Sequence, residues 1–151
     1  MNRIIVDSNV VFSAMLNTDS RIGQILLRGG DFFLFFAPEY LKTEIIFHKN
    51  KIMRLGNLDL SGFIEVYELL LRNITVLSHS IIPIEVYKKA EELCDDIDIN
   101  DTVFVALSEY IDGKLWTGDM KLFKGLTGKD YPRLVSTEDM FHDFIIRQKR
   151  K

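Results

Sequence analysis

The chain has 151 residues, of which 47% are apolar and 27% charged, and its formal net charge is −3. This composition is typical of one globular domain, and it argues against a disordered chain and against a protein that holds nucleic acid by bulk positive charge. The longest apolar run, residues 32–38, is too short to span a membrane. Because Cys94 is the only cysteine and no signal peptide fits before the first strand-like run, we expect a cytoplasmic protein without disulfides.

The first half of the chain alternates strand-like and helix-like patterns. A β-branched run predicts a strand over residues 3–6, and a short helix can follow over 10–16. Apolar spacing from residue 22 predicts a second helix that stops at a pair of glycines. Residues 32–37 are apolar at every position, which predicts a strand covered on both faces, and one long helix is predicted from Pro38 to about residue 56.

The second half continues the alternation. The remaining predicted helices and strands are a helix over 60–71, a strand over 74–77, a helix over 83–93, a central helix over 101–111, strands over 114–117 and 133–136, and an amphipathic stretch over 140–146. Strands separated by helices predict an α/β fold, a three-layer α/β/α arrangement around a mainly parallel sheet of about five strands. We expect a single domain over residues 1–146, followed by a basic tail over 147–151 that forms a solvated, frayed end.

Acidic residues fall at positions that a parallel sheet would expose on one edge. Asp7 directly follows the first predicted strand, and Asp119 follows the strand over 114–117 after one glycine. Ligands bind beyond the carboxyl ends of such strands. Asp101 stands in the first turn of the central helix, with Asn100 as its expected N-cap, and Glu44 borders the buried face of the helix that begins at Pro38. Converging carboxylates repel one another unless a cation neutralises them, and oxygen ligands suit Mg²⁺ or Mn²⁺.

Each of these acids also has a structural interpretation that the residues alone leave open. Asp7 and Asp119 fit the chemistry of turns, and Asp101 fits a charge that complements the helix dipole. Glu44 fits an exposed partner of His48 four residues later or a neighbour of Lys51 seven residues later. Asp98 is either a cap or a site acid in place of Asp101.

Four motifs resemble the PIN-domain family, metal-dependent nucleases that include the toxins of VapC-type toxin–antitoxin pairs. They are IIVDSN at residues 4–9, APEYLKTEI at 37–45, DTVFVAL at 101–107 and LWTGD at 115–119, and the resemblance runs from residue 3 to about 141. It implies a PIN-like fold with a catalytic and metal-binding quartet at Asp7, Glu44, Asp101 and Asp119. Asn9 and Thr117 match accessory polar positions, and Asp98 is a lesser candidate in the loop before the third acid.

The resemblance further implies an Mg²⁺- or Mn²⁺-dependent endoribonuclease that hydrolyses RNA, plausible as the toxin of a type II pair. A homodimer and a small antitoxin protein as partner are implied in the same way, and no membrane association is expected. The alternative is a PIN-like module that binds RNA or a protein without cutting. A phosphorylated receiver domain and a haloacid-dehalogenase-type phosphatase are disfavoured, because both want a second acid after the first strand, where Asn9 stands.

The histidines and the tryptophan have no predicted role in a site, and the histidines are interpreted as structural or solvated. The three histidines, His48, His79 and His142, have no common metal-ligand spacing. Trp116 lies in a predicted strand and is interpreted as a core residue. The apolar face of the helix over 60–71 fits either core or interface.

Overall fold

The computed structural model describes residues 2–150, and within that range it contains five strands and nine α-helices. The strands are β1 (Asn2–Val6), β2 (Phe33–Pro38), β3 (Ile74–Leu77), β4 (Lys114–Trp116) and β5 (Leu134–Val135). The helices are α1 (Ser8–Leu16), α2 (Arg21–Arg28), α3 (Tyr40–Phe47), α4 (Lys49–Leu55), α5 (Leu60–Leu71), α6 (Ile84–Cys94), α7 (Thr102–Tyr110), α8 (Met120–Gly128) and α9 (Thr137–Arg150). No helix within residues 2–150 is long and apolar enough to cross a membrane.

The five strands form one parallel sheet in the order β3-β2-β1-β4-β5. The first strand is therefore central, with Ile5 aligned to Phe36 of β2 and to Leu115 of β4. Parallel neighbours require crossover connections, which the helices provide. All five carboxyl ends consequently meet at one edge of the sheet, and the predicted fold class is confirmed.

The core lies between the sheet and the helices on its two sides. Helix α7 packs against β1, β2 and β4 and against α6, which in turn contacts α8. Helix α1 packs against α2 and α5, and α2 packs against α9. Every residue from Thr102 to Ser108 is buried, so α7 is a core helix rather than an amphipathic surface helix. Trp116 is also fully buried, which confirms its assignment to the core.

In the first half of the chain, the burial of β2 and the extent of the following helix differ from the sequence prediction. The side chain of Leu34 is 40% exposed, so β2 is not covered along both faces as predicted. The single helix predicted over residues 38–56 is two helices, α3 and α4, which meet at His48, where the backbone leaves the helical region at φ −94° and ψ 12°. Ile45 and Ile52 are both buried across this break. The apolar spacing is thus preserved, which is why the sequence pattern did not reveal the break.

The second half also departs from the sequence prediction. Helix α8 was not predicted, because two glycines weaken its propensity; it forms since Leu122 and Leu126, four residues apart, are both buried. Helix α9 continues to Arg150, so the frayed end predicted for the tail is wrong for residues 147–150, and Lys151 lies outside the described residues. Within that helix the Nε of Arg147 donates to Asp143 Oδ1 at 2.8 Å, and its guanidinium lies over the ring of Phe33, 5.5 Å from the ring centroid.

Candidate functional site

The four acids of the predicted quartet converge at the carboxyl edge of the sheet. Asp7 follows β1 and Asp119 follows β4, while Glu44 lies in the helix after β2 and Asp101 directly precedes α7. Each of the other three acids raises the pKa of Asp101 by charge repulsion. The electrostatics therefore couple all four carboxyl groups in one cleft.

Asp7 is the most deeply buried of the acids, with only 3% of its surface exposed. Its Oδ1 accepts from the backbone N–H of Ser8 at 2.7 Å, and its Oδ2 accepts from the Thr117 hydroxyl at 2.7 Å. Burial raises the pKa of Asp7 to about 6, although the hydrogen bonds from Thr117 and Ser8 oppose this rise. Asp7 thus caps α1, in agreement with its structural interpretation. Its second oxygen contacts Thr117, the predicted accessory residue that directly follows β4.

Asn9 and Thr117 connect the ends of the two central strands. The Asn9 amide nitrogen lies 3.4 Å from Asp7 Oδ2 and 3.4 Å from Thr117 Oγ1, while its amide oxygen accepts from the Gly118 N–H at 3.0 Å. Thr117 Oγ1 also accepts from the backbone N–H of Asp119 at 3.0 Å. Both residues therefore help to hold Asp7 in position with uncharged hydrogen-bond donors.

Glu44 is held by a residue that the sequence analysis did not select. The Ser8 hydroxyl donates to Glu44 Oε1 at 2.5 Å. Burial raises the pKa of Glu44, whereas the Ser8 hydrogen bond and the nearby His48 lower it. The position of Ser8 between Asp7 and Asn9 was the available signal, because this turn enters the cleft.

Asp101 is the acid with the least support from the protein. The predicted N-cap at Asn100 is wrong: Asp98 caps a 3₁₀ turn by accepting from the Asn100 N–H at 3.0 Å, and α7 begins at Thr102. The Asp101 side chain makes no capping hydrogen bond, and its Oδ2 is buried without a hydrogen-bond partner. Burial, followed by repulsion from the other acids, raises the pKa of Asp101 to about 8.

Asp119 and Asp98 combine structural and electrostatic roles. Asp119 caps α8, since its Oδ1 accepts from the backbone N–H groups of Lys121 at 2.9 Å and Leu122 at 3.3 Å. Asp98 is exposed and acts as a cap, and its charge also raises the pKa of Asp101. The structure therefore places Asp98 at the rim of the cleft and the quartet within it.

Tyr40 is a second neighbour that the sequence analysis did not select. Burial raises the pKa of its phenol, and repulsion by Glu44, Asp98 and Asp101 raises it further. It stands four residues before Glu44, one helical turn away, which was the available signal. Among the three histidines, His48 contacts the rings of Phe12 and Phe47. His79 and His142 are exposed.

The cleft suits a hard divalent cation. Among residues 2–150 no three His, Cys, Asp or Glu side chains stand as a ready-made metal site. The donor set is nevertheless made of carboxylate oxygens, and the buried Oδ2 of Asp101 has no donor from the protein. An acceptor-only group in that position needs a proton or a cation, so the chemistry of the donor set fits a hard divalent cation.

Comparisons with known proteins agree with this architecture. A family model described as PIN domain matches residues 5–140. Among solved structures, a chain of the VapBC2 complex from Rickettsia felis, bound to a DNA fragment from its promoter, superposes with a TM-score of 0.65 at 12% identity, covering 89% of this chain and 96% of that chain. No curated protein matches this chain in sequence. At such low identity the structural likeness establishes the fold.

Proposed function

Because the chain belongs to the PIN-domain family, we propose that it is a divalent-metal-dependent endoribonuclease that hydrolyses RNA phosphodiester bonds in the acidic cleft. The observation that carries this proposal is the unpartnered, buried Oδ2 of Asp101 amid three other carboxyl groups. A cation among these acids would reverse the local charge, and a polyanionic substrate would then be attracted rather than repelled.

Asp7 and Asp101 would bind Mg²⁺ or Mn²⁺ directly, and Glu44 and Asp119 would do so directly or through water. When bound, the cation supplies a water of lowered pKa and polarises the phosphate. The Thr117 hydroxyl fixes Oδ2 of Asp7, and the Ser8 hydroxyl fixes Glu44. With its pKa at about 8, Asp101 holds a proton at neutral pH and would release it as the cation binds.

We also propose that the protein is the toxin of a toxin–antitoxin pair, acting as a homodimer restrained by a small antitoxin protein. This proposal is supported by the shared fold with a chain of a VapBC2 complex. Its test is co-expression with any small protein encoded by an adjacent gene: co-purification together with loss of RNA cleavage is expected. A small neighbour that neither binds nor inhibits would contradict the pairing.

The activity itself is tested with purified protein and with unstructured and hairpin RNAs. Cleavage is expected with Mg²⁺ or Mn²⁺ and is expected to stop when EDTA is added. The variants Asp7→Asn and Asp101→Asn should lose at least about a hundredfold in rate, since each removes a charge that the cation requires. Glu65→Gln is the matched control, because it removes an exposed carboxylate of α5 far along the chain from the cleft.

The outcomes separate the proposal from its alternative. Equal cleavage by the wild type and both asparagine variants would identify a contaminating nuclease and would overturn the proposal. RNA binding without cleavage under every metal condition would favour the non-cleaving PIN-like module instead.

A further inference from the structure

A cavity of about 260 Å³ extends the acidic cleft beyond Glu44. Helices α1, α3 and α4 form its walls. Ser8, Asn9 and Glu44 form the wall that is shared with the site, and the other lining residues are Phe12, Ile45, His48 and Lys51. The shared wall carries the hydrogen bond between Ser8 and Glu44. A group in this cavity would therefore lie beside the acids without displacing them.

The outer wall presents an aromatic ring with a cation above it. The half-buried ring of Phe12 lies edge-on to the His48 ring, with centroids 6.0 Å apart and an interplanar angle of 75°. The Lys51 ammonium lies over the Phe12 ring, 5.8 Å from its centroid. The Lys51 side chain covers this face of the ring, but it is long and exposed and can move aside for a ligand.

We propose that this cavity binds one nucleotide of the RNA next to the cleaved bond, with its base on the ring of Phe12 and its phosphate at Lys51. The inference rests on the proposed ribonuclease function and names a substrate subsite of that same cleft. A flat aromatic face is the group on which bases of single-stranded RNA stack, largely independent of sequence. Lys51 supplies the positive charge that a backbone phosphate needs beside an acidic wall.

The charges of the cavity favour a nucleotide over other occupants. A small free anion would be repelled by Glu44, whereas a phosphate tethered to a stacked base is held by the rest of the strand. A purely apolar side chain of a protein partner would leave Lys51 and the wall formed by Ser8 and Asn9 without a role. The combination of ring, cation and neighbouring acids is matched by one nucleotide of a strand.

Binding of a fluorescein-labelled, single-stranded oligoribonucleotide, followed by anisotropy in the Asp7→Asn background, tests the subsite without turnover. Phe12→Leu and Lys51→Gln should each raise the Kd about tenfold, while Phe12→Tyr and Lys51→Arg should retain binding. The matched controls are Phe141→Leu, another half-buried ring with a cation above it, and Lys88→Gln, an exposed lysine of α6; both should leave the Kd unchanged. Thermal unfolding of each variant confirms that it is folded.

An abasic oligonucleotide of equal length separates the two contacts. Its Kd should be insensitive to Phe12→Leu and should remain sensitive to Lys51→Gln. Equal Kd values of the wild type, Phe12→Leu and Lys51→Gln for the base-containing RNA would overturn the subsite. Failure of the proposed function is distinguishable, because it appears as absence of cleavage in otherwise wild-type protein; if cleavage occurs, the same variants should raise KM and keep kcat.

Discussion

Asp101 illustrates how an acid at a helix start can be left without its usual hydrogen-bond partners. Acids at a helix N-terminus ordinarily cap it or complement its dipole. Here Asp98 provides the cap one turn earlier, and the carboxyl group of Asp101 is left buried with one oxygen unpartnered. The raised pKa of Asp101 follows from that burial and from the neighbouring acids. A residue that is costly for the metal-free fold is thereby placed where a cation would relieve the cost.

Because the buried Asp101 carboxylate destabilises the metal-free fold when it is ionised, Asp101→Asn is predicted to stabilise the metal-free protein at alkaline pH. The folded pKa of about 8 lies above the ordinary value of 3.8, so the folded state holds the proton more tightly than the unfolded chain does. The resulting stabilisation is fully present below about pH 4 and is lost as the pH rises to 8. With EDTA present, the variant should match the wild type near pH 4 and exceed it by about 1–2 kcal/mol at pH 8, after allowance for solvent at this half-buried group.

Denaturant unfolding at both pH values measures this difference. Glu65→Gln, which alters an exposed acid, should show no such growth of the difference with pH. A variant at position 101 that is less stable than the wild type at pH 8 would show that the carboxylate is well satisfied in the metal-free fold.

Thr117 is predicted to act as a positioning residue for Asp7. Its hydroxyl donates to Asp7 Oδ2 at 2.7 Å and lowers the pKa of that carboxyl group, so Thr117→Val should raise it. Loss of such a neighbouring hydrogen bond typically weakens metal affinity or activity about 10–100-fold. Isothermal titration with Mn²⁺ should show the loss for Thr117→Val and recovery for Thr117→Ser, which keeps the hydroxyl. A valine variant with unchanged affinity would assign Thr117 to packing alone.

At the scale of elements, most of the sheet could be predicted and the helix boundaries could not. The β-branched and apolar runs at β1, β2 and β3 mark strands directly, because a buried parallel sheet needs them. Helix α8 escaped prediction, since its apolar pair Leu122 and Leu126 is too sparse to outweigh two glycines. The break at His48 preserved the apolar spacing of α3 and α4. Tertiary contacts, which a single sequence does not display, decided both cases.

In the candidate site, too, the motifs indicate the positions of residues, whereas the contacts between their side chains depend on the folded structure. The positions of the four acids and of Asn9 and Thr117 near one sheet edge could be predicted, because all but Glu44 follow a strand or stand at a helix start. Glu44 lies within α3, and the motif around it indicated its position. Ser8 and Tyr40 lie inside these motifs, but their roles could not be assigned, because they depend on side chains that meet only when the residues after β1, helix α3 and the loop before α7 come together. The Asp98 cap also depends on a 3₁₀ turn that periodicity cannot resolve.

Variants of Asp119 can separate its role as the N-cap of α8 from its proposed role in cleavage. As N-cap of α8, its Oδ1 accepts two backbone N–H groups, and Asp119→Ala should cost about 1 kcal/mol of stability. Asp119→Ser should restore the cap, and with it the Tm, but should not restore metal-dependent cleavage, because serine carries no charge. Thermal unfolding and RNA cleavage of the two variants make the test. Full activity of the serine variant would restrict Asp119 to capping.

At the scale of the whole molecule, the strand order explains why distant segments form one cleft. Placing β1 between β2 and β4 sets Asp7 beside the ends of both neighbours, from which Glu44 and Asp119 follow. Helix α7 packs on the same three strands and delivers Asp101 to that edge. The sheet order itself could not be read from the sequence, because any right-handed parallel arrangement satisfies the same pattern.

The fold and the cleft together predict that a divalent cation stabilises the entire domain. A ligand that binds only the folded state at about 100 times its Kd raises the free energy of unfolding by about 2.7 kcal/mol, or roughly 5–10 °C in Tm for a domain of this size. Mg²⁺ or Mn²⁺ should produce this rise near pH 8 and a smaller one near pH 5, where protons compete at Asp7 and Asp101. Calorimetry at constant ionic strength, with NaCl replacing the divalent salt, separates binding from screening. The rise should vanish in Asp7→Asn and persist in Glu65→Gln; an equal rise in both variants would place the cation outside the acidic cleft.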